Sequence, residues 1–302
     1  MYQSSIEKNI KKVYILITMP ELPEVETIKR QLEKNVLGKD ILSLDILDNR
    51  VVVNEKEFVK GLLNSKLESI ERVGKALIFR VNEDSFLLIH LRMTGQLVYQ
   101  KGSNFIAGGH PIDNALNVPN KFTCVVFKFS DGSSLFFNSI RKFSRTSLVS
   151  RTEKDKYVDK FGIDPTKKEF TYKKFKKELE NKKVSLKSFL LNQKYISGIG
   201  NIYADEVCFF AFVLPERKVY SLTEKEKELL FEGTKIILKK AVEKGGTTSR
   251  DYLTAEGKKG GYVKYLRVYG RAEKECLNMC GGVIFKKIVT SRGTHFCKNC
   301  QK

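Results

Sequence analysis

The chain has 302 residues, with 55 Lys+Arg against 35 Asp+Glu and a formal net charge of +20, which is room for two domains and the charge of a polyanion binder. Nucleic acid is the commonest such polyanion, the alternative being a merely lysine-rich surface. No apolar run approaches the roughly 20 residues that span a bilayer, and "VYILI" near the start is shorter than the roughly 7–15 apolar residues of a secretory signal. These features predict a reducing compartment and no membrane, so six cysteines need not form disulfides.

In chain order, "PEVETIKRQLEKNV" places Val25, Ile28, Leu32 and Val36 at spacings of three and four, one apolar face of a helix. Pro23 lies near its first turn, where Glu24 and Glu26 favour the dipole. The runs "ALIFRV", "SFLLIHL", "TCVVFKF" and "SLFFN" follow as strands, the last two joined by a hairpin turn at "SDGS". One helix and many antiparallel strands predict a β-sandwich or flattened barrel of roughly 130 residues.

The stretch from Ser150 to Lys183, rich in Lys, Glu, Asp and Tyr, reads as an inter-domain connection with an exposed helix. Helical patterns then flank the glycine turn "SGIGN". A long helix over "SLTEKEKELLFEGTKIILKKAVEKGG" is predicted to start at a capping box of Ser221 and Glu224 and to stop at Gly245. "GGTTSRDYLTAEGKKGGY" reads as a mobile glycine-rich loop. In "SGIGN", Gly198 and Gly200 permit a backbone that exposes successive N–H groups before a helix beginning at Asn201, a form suited to phosphate.

Cys276 and Cys280 are separated by three residues, sixteen follow, and Cys297 and Cys300 are separated by two. Two close pairs at that distance suit one structural four-thiolate zinc ion on a β-hairpin, with no ligand position left open. His295 is a weaker candidate ligand, and Cys124 and Cys208, in apolar runs, read as core thiols. The hairpin tip "SRGTH" would present Arg292 on a stiff loop near Lys286, Lys287 and Lys298, which suits phosphate contact.

Together "MPELPEVET", "GKALIF", "HLRMTGQL", "LLNQKYISGIGNIYADE", "GGTT", "VYGR" and "SRGTHFCKNCQ" resemble the formamidopyrimidine-DNA glycosylases, in that family's order, from Met19 to Lys302. The resemblance implies an α+β fold: an N-terminal antiparallel β-sandwich with an N-terminal helix, a helical helix–two-turns–helix domain, and a C-terminal β-hairpin zinc finger. The expected divisions are a 1–19 extension absent from the mature protein, a catalytic domain over 20–155, a DNA-binding domain over 156–268 and the zinc finger over 269–302. It also implies a bifunctional glycosylase and AP lyase. The enzyme would excise oxidised purines such as 8-oxoguanine and formamidopyrimidines opposite cytosine in double-stranded DNA. It would work as a cytoplasmic, nucleoid-associated monomer with one Zn(2+) per chain.

In this chain the nucleophile would be the Pro20 nitrogen, attacking C1′ to give a Schiff base that permits β- and δ-elimination. An α-amine has a pKa near 8 and is partly neutral at physiological pH. Glu21 matches the catalytic acid, Glu24 a second acidic position that orients the N-terminal region, and Lys75 a lysine beside the lesion phosphate. Met93, Arg141 and Phe143 match the residues that fill the gap left by the flipped nucleotide. Lys187, Asn201 and Arg292 match phosphate contacts.

Three features depart from the family pattern. The residues before Pro20 would make its nitrogen an amide, which is not nucleophilic, so translation from Met19 is expected. A chain retaining them would be a catalytically silent lesion-binding protein. The first cysteine pair holds three residues where two are usual, and "NSIRKFS" lacks the Asp and Gly that usually flank the Arg–Phe pair.

Overall fold

The computed structural model describes residues 19–109, 117–247 and 261–302. The expected extension, apart from Met19, and most of the expected glycine-rich loop lie outside the described residues. Helix α1 (Leu22–Val36) opens the fold with Pro23 in its first turn, and Val25, Ile28, Leu32 and Val36 are all buried, the predicted face. Strand β1 (Ile41–Ile46), strand β2 (Val52–Val53) and helix α2 (Glu55–Leu62) follow. Strands β3 (Ser69–Val73), β4 (Ala76–Arg80), β5 (Ser85–His90), β6 (Gly95–Lys101) and β7 (Asn104–Gly109) come next. Then β8 (Thr123–Phe129), β9 (Ser134–Ser139) and β10 (Arg145–Ser150) complete two sheets.

One sheet has the order β1-β8-β9-β6-β7 and the other β2-β10-β5-β4-β3. Pairing is antiparallel except for the short β2–β10 ladder, which is parallel. Their inner faces and the apolar stripe of α1 share one core with Phe79, Leu87, Leu97, Val125 and Phe137. The runs "ALIF" and "FLLI" do not alternate because both of their faces are covered. Ile78, Phe86 and Leu88 point outward against Tyr157 and Val158 of helix α3 (Arg151–Val158). The stretch expected to hold one exposed helix therefore holds two short ones, α3 and α4 (Tyr172–Leu179). The second of these buries Phe175 and Leu179.

The second core gathers α4, α5 (Leu186–Leu191), α6 (Asn201–Phe210) and α7 (Glu224–Glu243). The start of α7 differs from the sequence expectation. Its N-cap is Thr223, whose hydroxyl accepts from the Glu226 N–H in a capping box, and Ser221 closes the preceding turn. "SLTE" and "TEKE" carry the same pattern two residues apart, and the extended backbone that an N-cap needs falls on Thr223 (φ −70°, ψ 162°). The helix ends at Glu243, with Gly245 in the left-handed region at φ 74°.

Strands β11 (Ile284–Val289) and β12 (Arg292–Cys297) form the last hairpin, turned by Thr290 and Ser291 at φ 50° and 59°. Cys124 and Cys208 are fully buried free thiols, one in each main core, as their apolar surroundings predict. The two halves are clamped by Arg72. Its guanidinium donates to Glu26 Oε2 at 2.8 Å on α1, to Asp164 Oδ2 at 2.7 Å and Thr166 Oγ1 at 2.9 Å in "GIDPT", and to Gly74 O at 3.0 Å.

Candidate active site

A cleft of about 410 Å³ between the sandwich and the helical layer is lined by Met19, Glu21, Lys75, His90, Asn201 and Arg292, among others. These six residues come from five separate stretches of sequence. Pro20 is buried beside Glu21.

Glu21 is held by the other half of the molecule. Its carboxylate accepts from the N–H groups of Gly200 at 2.7 Å, Ile202 at 2.9 Å and Tyr203 at 3.4 Å, at the N-terminus of α6. One amide of the glycine turn and two of α6 thus meet an internal carboxylate, and the Gly198 N–H donates to Gln193 Oε1 at 2.7 Å. Gly200 has to be glycine here, since a Cβ would lie 2.3 Å from the Glu21 Cδ. Burial, which disfavours the charged form, pushes the Glu21 carboxyl up to about 7. Lys75 and the α6 amides pull the other way, and Glu24 adds to the rise.

Glu24 sits behind it, buried among four donors. Its Oε2 accepts the Glu21 N–H at 3.0 Å, and its Oε1 accepts from the Tyr203 hydroxyl at 2.8 Å and the Thr247 N–H at 2.7 Å and hydroxyl at 3.0 Å. It therefore ties the start of α1 to α6 and to Thr247 in "GGTT". Lys75 follows Gly74 in the β3–β4 turn, and burial lowers its pKa against the opposing pull of Glu21 and Glu24.

Met93, Arg141 and Phe143 come together at the rim. The Arg141 guanidinium lies 4.7 Å from the Phe143 ring centroid and its Nη1 is 3.5 Å from Met93 Sδ. Phe143 is 47% exposed, so it belongs to no core. Asn201 donates from Nδ2 to Gly293 O at 2.9 Å and to the Tyr269 hydroxyl at 3.3 Å. Arg292, exposed at the start of β12, reaches the same cleft.

Lys187 departs from its expected phosphate contact, because its side chain is 0% exposed. Its ammonium donates to Asp205 Oδ1 at 2.6 Å and Thr294 Oγ1 at 2.7 Å. Asp205 Oδ2 in turn accepts the His295 N–H at 2.8 Å. A charge this deep must be paired, and pairing removes it from solvent. His295 takes part in that network and in an edge contact with Tyr269, not in the cysteine cluster.

The sulfurs of Cys276, Cys280, Cys297 and Cys300 all lie within 4.8 Å of one another. A tetrahedral site with ~2.3 Å metal–sulfur bonds has edges of ~3.8 Å, so these residues fit a metal ion. The extra residue of the first pair is absorbed by Met279, which adopts φ 52° and stands 94% exposed.

His90 and Tyr269 were not singled out by the sequence reading, although both lie in quoted motifs. His90 accepts the Arg92 N–H at Nδ1 (3.1 Å), and burial with Arg92 and Lys75 nearby pushes it down to about 4. It is a neutral ring with Nε2 left as the donor. Tyr269 is placed by Glu206, whose carboxylate accepts the N–H groups of Arg267, Val268 and Tyr269.

Comparison with known proteins agrees with this geometry. The model of the formamidopyrimidine-DNA glycosylase N-terminal domain matches residues 19–146, and that of the H2TH domain of the same enzymes matches residues 161–252. A formamidopyrimidine-DNA glycosylase of Ligilactobacillus salivarius is 39% identical over 94% of this chain and 99% of its own length. One from Pelotomaculum thermopropionicum is 37% identical over 94% and 99%. A complex of the Lactococcus lactis Fpg with an abasic site containing DNA superposes with a TM-score of 0.81, at 34% identity over 93% of this chain and 99% of that one. Another, of the wild-type Lactococcus lactis protein with an N7-benzyl-Fapy-dG containing DNA, gives 0.82 at 35% identity, over 94% and 100%. Whole-length identity of this order, with both domain models matched, means that the chain belongs to the formamidopyrimidine-DNA glycosylase family.

Proposed function

We propose that this chain is a bifunctional DNA glycosylase and AP lyase that removes oxidised purines, 8-oxoguanine and formamidopyrimidines, from opposite cytosine in duplex DNA. The observation that carries the reading is Glu21, a buried carboxyl beside Pro20 that holds its proton up to about pH 7 in the cleft. In a chain starting at Pro20, the neutral amine attacks C1′ while Glu21 gives its proton to the deoxyribose ring oxygen. The base departs, a Schiff base forms, and the flanking phosphates leave by β- and δ-elimination. Glu24 fixes the first turn of α1, and Lys75, Asn201 and Arg292 hold the backbone around the lesion. Met93, Arg141 and Phe143 fill the space of the flipped nucleotide, with Arg141 donating to the opposite cytosine.

The four cysteines would hold one Zn(2+), which supplies rigidity to the hairpin that carries Arg292. The divisions at 20–155, 156–268 and 269–302 and a monomeric state go with the same reading. So does a cytoplasmic site of action on the nucleoid. Translation from Met19 and loss of that methionine would free the amine, and the match to the N-terminal domain model, which begins at residue 19, supports this. A silent lesion-binding protein, the alternative, would not need a buried acid with a raised pKa.

The test is borohydride trapping on a duplex with 8-oxoguanine opposite cytosine, using protein that starts at Pro20. A covalent adduct is expected. Its absence defeats the enzyme reading.

A further inference from the structure

The β9–β10 loop carries "RKF", in which Arg141 and Phe143 match gap-filling residues and Lys142 lies between them. The fold splits it. Arg141 and Phe143 face outward and stack on each other, whereas Lys142 adopts the left-handed φ of 54° and turns inward, its side chain 14% exposed. A non-glycine residue in that region is uncommon and is held there by its surroundings. The Lys142 ammonium donates to Phe122 O at 3.2 Å and Cys124 Sγ at 3.2 Å and lies 3.3 Å from Asp48 Oδ2. Its partners come from the approach to β8, from β8 itself and from the turn after β1. Cys124 is buried and Phe122 and Asp48 are half-buried, Asp48 also pairing with the exposed Arg50, so the ammonium is held by the sandwich itself.

The rest of the loop is fixed around that anchor. The hydroxyls of Ser139 and Ser144, both fully buried, meet at 2.9 Å across its base, and Ser144 also donates to Leu91 O at 2.8 Å. The Arg141 N–H donates to Thr94 Oγ1 at 3.0 Å, joining this loop to the one that bears Met93. We infer that Lys142 is a positioning residue whose inward, half-buried anchor sets the stance of Arg141 and Phe143, and so the choice of the base opposite the lesion. The inference rests on the proposed glycosylase activity.

The experiment compares kcat/KM for duplexes with 8-oxoguanine opposite cytosine and opposite adenine, in wild type, Lys142→Met, Arg141→Met and the double variant. Lys142→Met is expected to lower the cytosine-over-adenine ratio about tenfold, and Lys142→Arg, which keeps a cation, to retain most of it. If Lys142 acts through Arg141, the double variant discriminates no worse than Arg141→Met alone, since the two changes then remove one shared interaction. An unchanged ratio in Lys142→Met, or additive losses in the double variant, overturns the inference. Should Lys142→Met fail to fold, Asp48→Asn decides in its place: a lowered ratio supports the anchor and an unchanged one refutes it. A wild type that excises from neither duplex defeats the proposed function instead.

Discussion

Glu21 makes a quantitative prediction about stability. Its carboxyl titrates near 4.5 in an unstructured chain and about 7 in the fold, with burial as the main cause. Between those values the folded state binds the proton more tightly than the unfolded state. The stability contributed by this group is therefore complete below about pH 4.5 and is lost as pH rises through about 7. At 1.36 kcal/mol per pKa unit the loss is roughly 3 kcal/mol. The assay is urea unfolding of the whole chain and of Glu21→Gln at several values between pH 5 and pH 8. An amide cannot ionise, so the gap between the two proteins should change by roughly 3 kcal/mol across that range. Glu206, also raised by burial, is present in both and cancels, as does the fixed cost of turning an amide group toward the α6 donors. Parallel stability curves would refute the argument. In protein that begins at Pro20 the slope should shrink, because a neighbouring ammonium favours the carboxylate.

Three further outcomes follow from single contacts. Lys187→Met leaves Asp205 charged and buried, so stability should fall by roughly 3–5 kcal/mol. The salt dependence of duplex binding should stay the same, whereas a residue gripping phosphate would lower that slope by about one. Gly200→Ala puts a methyl group into the Glu21 carboxyl, and a displacement of about 1 Å should cost on the order of 100-fold in base release, read by single-turnover kinetics. Cys297→Ser should release the metal and weaken duplex binding. Zinc content unchanged by mass spectrometry would disprove the four-cysteine site.

Much of this architecture is readable from residue spacing, because burial imposes periodicity. The α1 face and the strands around "SDGS" are legible for that reason, and the cysteine pairs for their fixed ligand geometry. The α7 cap was not, since two overlapping S/T-x-x-E registers satisfy the same rule and backbone geometry chooses between them. Lys187 shows a deeper limit. A lysine beside a DNA-binding motif looks cationic and available, and only the fold brings Asp205 and Thr294 against it from 18 and 107 residues away. Lys142 was hidden likewise, as left-handed backbone at one residue reverses the direction of its side chain. The glycine turn and the start of α6 also have a partner that spacing does not disclose, since the Glu21 carboxylate that accepts the Gly200 N–H lies 179 residues away in sequence.

That long-range pairing of Glu21 with α6 ties the protonation of the acid to the join between the two halves. The carboxyl keeps its proton only while the helical layer lies against it and excludes water. Parting the halves would return it to solvent, where it is an ionised and harmless surface group. A change that loosens this contact would therefore cost the molecule its protonated acid and the join between its halves together.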